Sequence, residues 1–404
     1  MEQLAAKTEI AVAEKKYSLM TFVFFCSGLF IVSALFSTIP LSPVFMGEFQ
    51  LTAETAALAT SICSFCYALG TVFFAPLSDR YGRKRVILFG LFALTVISPL
   101  IGFLKSYEAI LLLRGIQGFV AASFAPTALT FITELYPPNK RVTAIGFISA
   151  GFLMAGIIGQ VYSSVINDFL GWKYVFYMLG LVYLVIAIGF NAVIPRGTLP
   201  ASGEKRSVLG AFTIVLSQHF FLFCYFITIL LLLSFVGTYT TLENYLRDIY
   251  TLEAPQILLV RSAGIIGMLL APFGGRLASR FGTFPLMRAG LAAAAIGLFC
   301  IGISGNIVVM TVMSVVFTAG ISVTVPSLVS LLGQFGGREK ASAMSLYSFF
   351  LFIGSTLGPV LAVFFMKTGS YVLAFEVIAA LLAIGFFVTF PLAKQAAERS
   401  EGSF

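Results

Sequence analysis

Apolar residues in this chain come in long unbroken runs. Stretches free or nearly free of charge lie at 18–39, 54–76, 86–104, 107–133, 142–166 and 173–194, and again at 217–241, 254–275, 284–303, 306–332, 341–365 and 371–392. Each has the roughly 20 residues that a helix needs to cross a hydrocarbon layer, and none shows the period-two alternation of a barrel strand. The pattern predicts an all-α membrane protein of twelve transmembrane helices in two pseudo-symmetric six-helix bundles. Between the bundles, the segment PRGTLPASGEKRS at 195–207 is rich in Pro, Gly and Ser. The expected order is a tail over 1–17, a first bundle over 18–194, a linker with an interfacial helix over 195–216, a second bundle over 217–392 and a tail over 393–404.

Composition agrees with this picture. The 404 residues are 59% hydrophobic and 10% charged, with a mean hydropathy of +1.00. Soluble domains carry about 25% charged residues, so a water-soluble fold is excluded. The net charge of +8 raises the question of a nucleic-acid partner, and placement answers it. Of the 25 Lys and Arg, nineteen fall on one predicted face of the membrane. Lys105, Lys173, Arg247 and Lys367 fall on the other, and Arg114 and Arg261 lie inside spans. That asymmetry places both termini and the linker in the cytoplasm. No basic stripe interleaves with aromatics, so no nucleic-acid partner is expected. The first seventeen residues are of mixed charge and the apolar run after them is too long for a signal peptide, so the first span is expected to stay as an anchor. Cys26, Cys63, Cys66, Cys224 and Cys300 all sit within spans, as packing residues. No metal site and no cofactor are expected.

The two halves repeat. Leu77 and Leu277, Arg80 and Arg280, Gly82 and Gly282, and Pro126 and Pro326 are each 200 residues apart. Each half is therefore expected to copy the other about an axis along the membrane normal, with the pathway between them. In the loop Leu77-Ser78-Asp79-Arg80-Tyr81-Gly82-Arg83-Lys84-Arg85, Gly82 permits a tight reversal and Asp79 is expected to favour a helix N-terminus. This loop resembles the D-R-x-G-R-[KR] signature of the major facilitator superfamily. The resemblance implies alternating access and a conformational gate made by Asp79, Arg80, Gly82, Arg83 and Lys84, with Arg83 paired to Glu134 at the end of the fourth span. Ala75 stands where the family has glycine. In the second half Ser279 and Thr283 replace the aspartate and the second arginine, so the gate is expected to be strong in the first half only.

Arg114-Gly115-Ile116-Gln117-Gly118 resembles the R-x-x-Q-G motif of the same superfamily, especially of its drug:proton antiporters. Two readings of Arg114 and its i, i+3 neighbour Gln117 stay open. One is a packing arginine satisfied by backbone carbonyls. The other is a cavity charge that binds an anion or favours ionisation of a proton-carrying acid. Gly151, Gly156 and Gly159 in the fifth span are similar to the exporter motif G-x-x-x-G-P-x-x-G-G, with Gly156 in the proline place and Gln160 in the last glycine place. They are expected to let span five approach span eight across the halves. Gly354, Gly358 and Pro359 in span eleven are expected to face span two.

Few ionisable groups enter the apolar layer: Arg114, Arg261, Glu54, Glu108, Glu243, Glu376 and the single His219. The first span holds no acid. Glu243, just past Tyr239, Thr240 and Thr241, is the first candidate proton carrier. Arg261 is expected to pair with Glu243 or Glu376 in a protonation-sensitive cluster. Glu376 is either functional or paired structurally with a neighbouring helix, and His219 is expected at the surface or as a cap, with a proton relay as the alternative. No nucleophile–base pair or phosphate-cradling loop appears, so no enzyme is expected.

The resemblance implies a monomeric secondary transporter of a bacterial inner membrane, driven by the proton gradient and exporting a small lipophilic or amphipathic compound. Its partners are then the lipid bilayer, protons and the small-molecule substrate. A transporter of small organic anions built on Arg114 and Arg261 is the alternative. A non-transporting receptor is a third, set against by tails of about 17 and 12 residues, too short for an output domain.

Overall fold

The computed structural model of the protein describes residues 2–195 and 208–401. Most of the expected linker, 196–207, lies outside the described residues, as does the end of the C-terminal tail. The helices are α1 Glu2–Phe36, α2 Ser42–Phe49, α3 Ala53–Tyr81, α4 Arg83–Phe103, α5 Tyr107–Ala121, α6 Ala125–Leu135, α7 Pro138–Leu170 and α8 Trp172–Val193. There follow α9 Val208–Leu216, α10 His219–Asp248, α11 Ala254–Ser262, α12 Gly264–Met268, α13 Gly274–Phe281, α14 Thr283–Ile303, α15 Ile307–Phe335, α16 Lys340–Met366 and α17 Tyr371–Glu401. No strand occurs among the described residues. Twelve helical stretches among the described residues are long and apolar enough to cross a membrane. The chain divides into two compact units, Met1–Gly70 with Leu77–Ser202 and Thr71–Pro76 with Gly203–Phe404.

Local sequence explains where the spans start and break. Gly82 (φ 94°) and Gly282 (φ 88°) each reverse the chain in a single residue, between α3 and α4 and between α13 and α14. A side chain is strained at such a φ, which is why glycine holds both places. Span four is two helices, α5 and α6, with a turn at 122–124; α6 restarts with Pro126 in its first turn, where its missing N–H costs nothing. Its counterpart Pro326 lies inside an unbroken α15. In the second unit the break is in span eight, which runs through α11, α12, a 3-10 turn at Ala271–Phe273 and α13. Backbone freed inside an apolar layer must find a partner. Here the Gly264 carbonyl accepts the Thr318 hydroxyl at 2.9 Å.

The repeat extends to backbone contacts. Gly159 of α7 lies against the Ser33 carbonyl of α1, and Gly358 of α16 against the Leu233 carbonyl of α10. Gly90 of α4 lies beside the Val120 carbonyl, and Gly290 of α14 beside the Gly320 carbonyl. Ser33 and Leu233, Val120 and Gly320, and Gly90 and Gly290 are each 200 residues apart. The same helix pairs thus touch at the same points in both units.

These contacts show which helices of their own unit the glycine motifs meet. Gly151 and Gly159 lie against α1, at Phe25, Leu29 and Ser33. Gly354 and Gly358, with Pro359 following inside α16, lie against α10 at Ile229, Leu233 and Gly237. A stripe of small residues announces close helix approach without naming the neighbour. The Gly156 carbonyl accepts the Gln160 side-chain amide at 2.5 Å, which occupies that stripe's polar end. Helix α1 begins at Glu2 and α17 runs to Glu401, so the described parts of both expected tails continue span helices, and Arg247 lies in the last turn of α10.

Candidate functional site

Arg83 opens α4 directly after the Gly82 reversal and is 7% exposed. It pairs with Asp79, reaches Glu134 Oε1 at 3.1 Å and donates to Ser78 Oγ at 2.5 Å. Asp79 is in the last turn of α3, not at a helix N-terminus, because Gly82 closes α3 and starts α4 with no residue between. A carboxylate at a helix C-terminus is on the unfavourable end of the dipole, and the i, i+4 contact with Arg83 offsets this. Lys84 Nζ donates to the Asn191 carbonyl at 2.7 Å, in the last turn of α8, where helix carbonyls lack intrahelical partners. Arg80 stacks over the Tyr81 ring at 5.3 Å. In the second unit Ser279 bonds the Arg276 carbonyl and Arg280 lies over the Phe281 ring, with no acidic partner among the described residues. Gln334 stands 200 residues after Glu134, so the acid that Arg83 uses has no counterpart.

Arg114 is fully buried. Its Nε donates to the Ala59 carbonyl at 3.1 Å, its Nη1 to the Ala34 carbonyl at 3.0 Å and to Gln117 Oε1 at 2.6 Å, and its Nη2 to Thr38 Oγ1 at 3.2 Å. Gln117 passes the network on to Ser98 Oγ at 2.8 Å. All of these acceptors are neutral. Ala34 lies in the last turn of α1, so the guanidinium sits at the negative end of that helix and on one of its unsatisfied carbonyls. This is the geometry of the packing reading. The cation meets two backbone carbonyls and the side chains of Gln117 and Thr38 among the described residues.

The second unit brings Glu243, Arg247, Arg261 and Tyr239 together at the end opposite its Gly282 turn. Arg247 Nη2 donates to Glu243 Oε1 and Arg261 Nη1 to Glu243 Oε2, both at 2.8 Å. The Arg261 guanidinium lies 5.5 Å from the centre of the Tyr239 ring, whose hydroxyl is 3.2 Å from Ser314 Oγ. Side-chain exposure is 31% for Glu243, 12% for Arg261 and 53% for Arg247. Of the two acids open to Arg261, the structure pairs it with Glu243. Glu376 is half-buried on α17 beside Gly302 of α14. Its place matches that of Tyr177, 199 residues earlier, whose hydroxyl donates to the Gly102 carbonyl at 3.0 Å. His219 is exposed at the first position of α10.

Sequence reasoning missed an aromatic cluster in the first unit. Helix α2 buries Phe45 against Tyr107 and Trp172, with Phe49 beside them. Trp172 Nε1 donates to Glu48, and Tyr107 donates to the Thr55 and Ala56 carbonyls. The clue was Ser42-Pro43 before a short run with Phe45 and Phe49 four apart, a one-face helical spacing with a proline start.

Comparison with known proteins decides the family. The profile described as Major Facilitator Superfamily matches residues 20–336 and 256–403. The chain belongs to the Major Facilitator Superfamily. It is 26% identical to an uncharacterized transporter of Buchnera aphidicola over 97% of this chain and 96% of that protein. It is also 26% identical to the inner membrane transport protein YnfM of Escherichia coli, over 66% of this chain and 65% of that one. Multidrug resistance protein 3 of Bacillus subtilis is 32% identical over 37% of this chain and 29% of its own length. Among solved structures, the human organic anion transporter MFSD10 superposes with a TM-score of 0.74 at 15% identity, covering 92% of this chain and 99% of that one. At that identity the likeness speaks for the fold alone. This superfamily member is a multi-pass membrane transporter with twelve spans.

Proposed function

We propose that this chain is a proton-coupled exporter of a small lipophilic or amphipathic compound. It acts as a monomer by alternating access, in a bacterial inner membrane with both termini cytoplasmic, and it is not an enzyme. The observation that carries the proton coupling is Glu243, a part-exposed acid inside a span whose carboxylate is held by Arg261 and Arg247. The first span offers no acid, and in the first unit Asp79 and Glu134 are committed to Arg83. Protonating Glu243 abolishes the attraction to both arginines and frees the end of α10 from α11, which gives the unit two discrete arrangements. The uneven placement of lysine and arginine supports the orientation. The partial match to a multidrug resistance protein and the glycine-rich fifth span support export.

The test is transport by the purified chain in liposomes under an imposed proton gradient, with a panel of lipophilic dyes. Export requires dye movement that dissipates the gradient and is lost in Glu243→Gln. No gradient-dependent movement with any dye refutes it.

One observation favours a second reading, transport of a small organic anion: two guanidiniums converge on one carboxylate at Glu243. Arg114, enclosed by neutral acceptors, takes no part in this reading.

A further inference from the structure

The arrangement around Glu243 is that of an occupied carboxylate site, and the inference drawn from it rests on the second reading above. Each oxygen of the Glu243 carboxylate has its own guanidinium at 2.8 Å. Arg261 is held in place independently of Glu243, stacked on Tyr239, which is anchored in turn to Ser314 and packed on Phe235 at 5.1 Å. A planar guanidinium set over an aromatic ring is suited to a carboxylate on an apolar body. The other charged groups near this end of the unit are engaged elsewhere or stand apart. Asp248 accepts from Tyr371, Glu253 closes the capping box at the start of α11, Glu376 lies against α14, and Lys367 follows the end of α16. Helix α15 has no charged residue along its length.

We propose that Arg261 and Arg247 form a binding site for a carboxylate-bearing compound, and that Glu243 fills this site as a tethered stand-in which the incoming carboxylate displaces. The displacement exchanges one ion pair for another and makes no covalent bond. The charge that the incoming anion adds is balanced by one proton from solvent on Glu243. Anion and proton are bound together, and by reciprocity each strengthens the other's binding. A carboxylate compound therefore travels with a proton, in the same direction, whereas an exported neutral compound exchanges against one.

The full chain in detergent, weakly buffered with a pH indicator, tests this with benzoate and octanoate as probes and benzamide as the uncharged control. Both carboxylates are expected to bind at least about tenfold more tightly than benzamide, with uptake of about one proton per anion bound. Binding of the carboxylates should strengthen as pH falls towards the probe's own ionisation. In Glu243→Gln the carboxylates should bind more tightly than to the wild type, with no proton uptake and no such pH dependence. Arg261→Gln should lose carboxylate binding, with its thermal midpoint measured alongside and Arg247→Gln as a milder second variant. Weaker anion binding in Glu243→Gln overturns the stand-in role. Carboxylate binding without proton uptake overturns the exchange while leaving the anion reading intact. No carboxylate binding to either the wild type or Glu243→Gln removes both.

Discussion

Alanine at Gly159 or Gly358 puts one methyl group against the backbone of the neighbouring span. A Cβ at Gly159 would lie 2.6 Å from the Ser33 carbonyl oxygen, and one at Gly358 would lie 2.5 Å from that of Leu233. Ordinary contact begins near 3.4 Å, so each helix pair must separate by roughly 0.8 to 0.9 Å or distort. Overpacking of this kind costs about 1–3 kcal/mol. Gly189 in α8 is the control, because nothing lies within 4 Å of its Cβ position. Alanine there gains helix propensity, up to about 1 kcal/mol. Thermal unfolding of the purified variants should therefore move in opposite directions, down for Gly159→Ala and Gly358→Ala and up or level for Gly189→Ala. The first two belong to different units, so the double variant should lose about the sum of the single effects. If Gly159→Ala and Gly358→Ala unfold at or above the wild-type temperature, the close helix contacts are not what holds these pairs.

Arg83→Ala leaves Asp79 and Glu134 without their shared cation; with the acids 44% and 38% exposed, screening holds the loss to about 1–3 kcal/mol, and unfolding at low and high salt should show it shrinking as salt rises. Arg280→Ala, which removes only a contact with the Phe281 ring, should change stability by less than about 0.5 kcal/mol in the same measurement. Arg114→Ala empties a fully buried site of four hydrogen bonds and should cost about 3–5 kcal/mol. Transport by the protein that still folds should keep its apparent substrate affinity, and a tenfold affinity change at unaltered stability would show instead that Arg114 meets the substrate.

Much of the fold could be read from the sequence because the apolar layer leaves few choices. A run of about 20 uncharged residues has to be a spanning helix. A glycine 200 residues from another in the same loop has to make the same turn, as Gly82 and Gly282 do. The pairing of Arg83 with Glu134 comes from the family resemblance, and for Arg261 the sequence offers both Glu243 and Glu376, of which the packing selects Glu243. What periodicity does not carry is the identity of a neighbour. The stripes at Gly151 to Gly159 and Gly354 to Gly358 show that something comes close, while the partner helix is settled by tertiary packing. Nor does it separate a buried arginine from one facing a cavity. Arg114 is enclosed because α1 ends beside it, and that helix end is set by the turn after Phe36, a local detail without a strong signal in the run of apolar residues.

The chain has one tryptophan, and it lies in the first unit, 5% exposed and bonded to Glu48 with Lys173 at its face. Light chosen to excite indole and spare tyrosine therefore illuminates a single spot in the whole molecule, while the second unit stays dark. Any emission change on adding a ligand is a local report from the aromatic cluster around α2. A ligand that settles at Glu243 can alter that emission only if its binding is felt in the other half of the chain, so the native protein carries its own detector for communication between the two.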